Sequence, residues 1–160
     1  MTPFHHLREL TAFQDEPGQL PSGVAGKNAF LRLGFERRGA RTVLAHLDRR
    51  APLLVQQALY WDEALPDLPC VFMITTTGCI LQGDRVNIEI ELAPDTRAHI
   101  TTQAATKIHS MDANYAAQTQ NIVVSENAYL EYLPDPVIPH AHARFVSSTC
   151  MSVHPTATLL

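Results

Sequence analysis

His140 and His142 form the sharpest metal-like pair in this chain. Residues i and i+2 of a strand share a face, and two imidazoles placed there can chelate a borderline metal. With Glu131 as a third ligand and an open position for water, they would suit a small metal-dependent enzyme on a β-barrel or sandwich. No third ligand is evident nearby, however, and Pro136 and Pro139 put the pair beside a loop, so two surface histidines is the plainer reading. Glu131 itself sits between apolar neighbours. It is either a buried carboxylate with a raised pKa or an outward residue on an alternating strand. Asp84 follows Gly83 in a turn where glycine gives backbone freedom and a carboxylate can bond nearby amides. The serines lack a G-x-S-x-G setting, and Cys150 has no activating surroundings, so no nucleophile emerges.

The elements that must position these groups are strands. In Arg85-Val86-Asn87-Ile88-Glu89-Ile90-Glu91-Leu92 apolar residues fall at every second place, the signature of a half-buried strand. Residues 30–36 and 41–47 read as a hairpin through Arg37-Arg38-Gly39-Ala40. Further strands are expected at 53–59, 70–75, 97–103, 118–125, 128–133 and 144–150, with prolines between them. Residues 104–114 read equally well as a helix or a loop. His99 shares a strand face with Arg97 and Thr101, which points it to solvent. Residues 1–28 make a loop-rich leader, expected to be loosely held, and 29–160 a β domain.

A faint repeat runs through the second half. Ala98, Ala128 and Ala157 each follow a polar turn and open a strand, at spacings of 30 and 29 residues. That period suits coils of a β-helix or solenoid, each burying its neighbour's face. The expected fold class is therefore all-β with little helix, either solenoidal layered sheets or a plain β-sandwich.

Composition narrows function. The 160 residues carry a formal charge of −4, and the 12 Lys and Arg form no dense block, which argues against nucleic acid. No apolar run approaches the ~20 residues of a membrane span, and the first residues lack a basic region followed by an apolar one, so a cytoplasmic protein is expected. Three cysteines without C-x-x-C spacing disfavour a disulfide framework or a thiolate zinc site; reduced and mostly packed thiols are expected.

A Gly-rich turn ending Gly83-Asp84, the strand after it, Thr101-Thr102-Gln103-Ala104-Ala105-Thr106-Lys107, and Leu130-Glu131-Tyr132-Leu133-Pro134-Asp135 follow one another in order. Together they resemble the urease accessory proteins of the UreD (UreH) family, from about residue 28 onward. Gly78, Gly83, Gln103, Lys107 and Glu131 belong to the matched motifs. Family members continue well past this point, so the chain is expected to be an incomplete N-terminal part, with a last strand lacking its next neighbour. The resemblance implies a non-catalytic scaffold with a β-helix-like fold. Such a scaffold assembles with UreF and the GTPase UreG on apo-urease and helps deliver nickel. No cofactor would be tightly bound, and nickel(II) would only be in transit. The absence of a G-x-x-x-x-G-K-[ST] loop agrees with the GTPase chemistry belonging to a partner. Asp84 and Thr106 match family positions proposed to line an internal tunnel. Cys79 and Gln82 replace residues typically glycine there, which leaves the turn's backbone shape open, because a side chain penalises positive φ. A plain binding module whose β surface docks another protein, with no metal involved, is the third reading.

Overall fold

The computed structural model describes residues 4, 7–13 and 28–160. The stretches 14–18 and 20–23, expected to be loosely held, lie outside the described residues. Arg8–Phe13 forms a short 3-10 helix, and Phe4 and Leu10 pack in a small buried cluster with Tyr115 and Ala117.

The chain opens with a hairpin of β1 (Asn28–Arg38) and β2 (Arg41–Arg50), turning through Gly39 at φ 61°. Next come β3 (Leu53–Leu54) and β4 (Cys70–Thr75), an antiparallel pair. The expected strand over 53–59 is thus only two residues long, with one further bridge from Leu59 to Cys70. From β4 onward the chain winds. β5 (Arg85–Leu92), β8 (Ala116–Val124) and β11 (Phe145–Val153) lie side by side on one wall. On a second wall lie β4, β6 (Arg97–Thr102), β9 (Tyr129–Leu133) and β12 (Thr158–Leu159). The short β7 (Thr106–Ile108) and β10 (Val137–Pro139) make a third. Among the described residues the strand pairings from one coil to the next are parallel and join residues 29 to 32 apart, as in Cys70 beside His99 and Arg85 beside Ala117, and one further parallel bridge joins Ile80 to Ile108.

This is the solenoidal arrangement of layered all-β sheets, not a hairpin-built sandwich. β5 and β6 bury alternate residues against the neighbouring coils, whereas β10 is exposed throughout and β11 over Ser147–Val153. The alanine repeat marks real coils, with one correction of register. Ala128 lies level with Ala157, but its partner in the preceding coil is Thr96, and Ala98 pairs with Leu130. A slip of two residues keeps every side chain on the same face, which is why the pattern still pointed inward. Residues 104–114 contain no helix; they hold β7 and a loop.

The core consists of rows running across the coils. Leu33, Ile90 and Ile122 form one, Phe35, Leu92 and Val124 another, and all six are at most 1% exposed. Each such side chain contributes roughly 1.5–3 kcal/mol by leaving water. β1 joins β5 in parallel, and Asp67 accepts from Arg37 of β1 at 2.6 Å and from Arg97 of β6 at 3.5 Å, tying the hairpin to the coils. The Arg37 hydrogen bond holds the Asp67 carboxyl below its ordinary range. Among the described residues no helix is long and apolar enough to cross a membrane.

Candidate functional site

The turn before β5 decides where the chemistry sits. Gly78 and Gly83 take φ of +71° and +75°, conformations that side chains disfavour. Cys79 and Gln82 are not among the positive-φ residues, so their side chains carry no backbone penalty. Gln82 instead ties the turn to the next coil, its Oε1 accepting from the amides of Asp112 (3.1 Å) and Ala113 (3.2 Å).

Asp84 is only 3% exposed. Its Oδ2 accepts from the Leu81 amide at 2.9 Å, and its backbone carbonyl accepts from the Ala117 amide at 2.9 Å. The carboxylate therefore caps its own turn. It also lines a partly open pocket of about 160 Å³, together with Thr106, Thr102, Gln118, Gln120, Tyr132 and the exposed Asp135. A second cavity of about 260 Å³ is lined by Gly78, Gln103 and Lys107 and shares Thr75, Cys79, Thr102 and Thr106 with the first. The two are neighbours through that shared wall. Lys107 is exposed, and its carbonyl accepts from Ile80 at 2.8 Å, holding the third wall together.

Sequence reasoning missed Gln118, Gln120 and Tyr132. Tyr132 reaches across from the second wall to donate its phenol to Gln120 Oε1, while Gln120 Nε2 donates to Thr149 Oγ1 at 2.9 Å. Burial pushes the Tyr132 phenol up to about 12, so it stays a proton donor. A signal was present: Gln118-Thr119-Gln120-Asn121 is polar at four consecutive places, and a strand polar on both faces inside a closed coil must present some polar groups inward.

Other expected residues fall elsewhere. His140 and His142 do not share a strand face. β10 ends at Pro139, and His142 adopts φ 61° in a turn, which breaks the period-2 geometry. His140 lies beside His109 instead, ring centroids 5.5 Å apart. Among the described residues no three His, Cys, Asp or Glu side chains gather where they could hold a metal ion. Cys70 is buried and Cys79 half-buried, whereas Cys150 is exposed, so packing accounts for only part of the thiols. A larger open groove of about 740 Å³ lies where β1, β5 and β8 begin and β2 ends, is lined by Asp48, Arg50 and Arg85 among others, and contains none of the motif residues.

Glu131 points outward on β9 and is not a carboxylate with a raised pKa. The Tyr129 hydroxyl donates to Oε1 at 2.6 Å and His99 Nδ1 lies 2.6 Å from Oε2. These bonds, Tyr129's first, stabilise the charged form and lower the pKa below its ordinary 4.5. A lowered carboxylate pKa adds stability that is complete above about pH 4.5 and is lost as pH falls through the folded value. Glu131→Gln should therefore flatten the acid limb of a denaturation profile below about pH 4.5 and leave the neutral region's slope unchanged. An identical acid limb in both proteins would show that the bonds add nothing.

The profile of the family described as UreD urease accessory protein matches residues 27–160. This chain belongs to the UreD family. It is 67% identical over 153 residues to urease accessory protein UreD 2 of Brucella ovis, covering 96% of this chain and 51% of that protein. It is 61% identical over 152 residues to urease accessory protein UreD of Photorhabdus laumondii and 55% identical over 152 residues to that of Yersinia pseudotuberculosis. Each of those two matches covers 95% of this chain and 47% of the relative. The chain thus spans about half the length of the curated relatives it matches. The motifs of the UreD resemblance, 78–84, 101–107 and 130–135, lie on neighbouring coils, and each contributes residues to the Asp84 pocket.

Proposed function

We propose that this chain is part of a non-catalytic urease maturation scaffold that assembles with UreF-type and UreG-type proteins on apo-urease, and that its lumen is a passage for nickel(II). The observation that carries this reading is the placement of Asp84 and Thr106 on one pocket beside a second that reaches the exposed Lys107. A conduit needs enough oxygen to replace part of the ion's hydration and too little to retain it. The buried Asp84 and the exposed Asp135, among hydroxyls and amides, meet that demand, since among the described residues no three acidic, imidazole or thiol groups gather to hold an ion. Family membership supplies the context: the relatives are named urease accessory proteins.

The whole protein, expressed with its UreF-type partner, should co-purify with it, and urease matured in its presence should hold nickel. Failure of a correctly folded whole protein to bind that partner would overturn the scaffold reading.

A further inference from the structure

The third wall carries a histidine pair that chain order does not suggest. Within β7 only Ile108 is buried, while Lys107 before it and His109 after it are exposed. β10 pairs with β7 in parallel and sets Pro139 level with Ile108, so His140 follows at the level of His109, one coil further on. The two ring centroids are 5.5 Å apart, with 43° between the planes. Both backbones are pinned by the pairing of coils: the His109 amide donates to the Ile80 carbonyl and the His140 amide to the Ile108 carbonyl, each at 2.9 Å. His109 Nδ1 lies 3.2 Å from the carbonyl oxygen and 3.2 Å from the hydroxyl oxygen of Ser110. Donation from Nδ1–H to that carbonyl selects the tautomer with its lone pair on Nε2, which is how metal-ligating imidazoles are commonly oriented.

We propose that His109 and His140 form a two-imidazole site for a borderline divalent cation on the outer surface of the third wall, with water completing the coordination. An ion about 2.0–2.1 Å from each imidazole nitrogen lies roughly 3.2 Å from each ring centre. It therefore joins rings about 4.5 Å apart at a right angle and about 5.2–5.5 Å apart at tetrahedral to trigonal angles. The observed separation belongs to the wider range, which favours zinc(II) over ions that demand right angles. His142 is turned away by its φ of 61°, and among the described residues no three His, Cys, Asp or Glu side chains gather around an ion. With two protein ligands and the like charge of Lys107 on the same face, the site exchanges its ion readily. Neither histidine lines the Asp84 pocket or its neighbour, so the site stands apart from the conduit proposed above. Its ligands come from successive coils, and an ion there ties the exposed β10 to β7.

Zinc binding to the whole protein, purified without a tag, tests this by equilibrium dialysis of the parent and of His109→Gln, His140→Gln and His142→Gln. All three side chains are exposed, so the variants should fold as the parent does. His109→Gln and His140→Gln should each bind zinc at least about tenfold more weakly, and His142→Gln should match the parent. The ring resonances of His109 and His140 should shift together as zinc is added, and zinc should raise the urea midpoint of the parent more than that of either weakened variant. No zinc binding by the parent, or parental affinity in either His109→Gln or His140→Gln, would reduce the pair to a ring contact and overturn the proposal. An equal loss in His142→Gln would move the ligands to a single coil and overturn it as well.

Discussion

Asp84→Asn in the whole protein is expected to lower the nickel content of urease about tenfold, with the accessory complex still assembled and its stability nearly unchanged. Asparagine keeps a side-chain oxygen for the Leu81 amide, so the turn before β5 stays capped while the charge is removed. A neutral amide attracts a divalent cation far less than a carboxylate, and each 1.4 kcal/mol lost at a barrier is about a factor of ten in rate. Asp84 is too buried to touch a partner protein, so binding should not respond. Asp84→Ala differs in one respect: it also leaves the Leu81 amide without its acceptor, which costs about 1–3 kcal/mol. Chemical denaturation and metal analysis of the two variants therefore separate the two roles of one side chain. If alanine destabilises but neither variant changes urease nickel, Asp84 is a turn cap and nothing more, as the plain binding-module reading requires.

Ile90→Ala is expected to destabilise the fold by about 2–5 kcal/mol, the range for removing a large aliphatic side chain from a packed core. Ile90 is 1% exposed and lies in register with Leu33 on one side and Ile122 on the other, so its loss opens a cavity that neither neighbour can close without breaking parallel pairing. Against a typical total of about 5–15 kcal/mol this is a large fraction. The urea midpoint should fall with little change in slope, because the surface exposed on unfolding is nearly the same. A shift below about 0.5 kcal/mol would mean that the coils do not depend on this row.

Much of this architecture was written in local pattern. The alternation from Arg85 to Leu92 specifies which four side chains go inward, because a strand has a period of two whatever its neighbours do. The hairpin between β1 and β2, the outward face of His99 and the coil period near 30 residues are legible for the same reason. The motifs around Gly83-Asp84, Thr101 to Lys107 and Leu130 to Asp135 likewise sufficed for the UreD family.

Register and enclosure were not legible. Ala98 and Ala128 look equivalent along the chain, yet pairing sets Ala128 against Thr96, since hydrogen bonding between coils is fixed by the turns and not by residue likeness. His140 and His142 look like a strand pair until the backbone turns at His142. Glu131 has apolar neighbours in sequence, but its pKa follows from Tyr129 and from His99, 32 residues away. Local order in the chain therefore determined the strands, their buried faces and the family. Only the closing of one coil upon the next decided that Asp84, Thr106, Gln118 and Tyr132 share a single cavity, because contacts between residues tens of positions apart depend on how the walls stack.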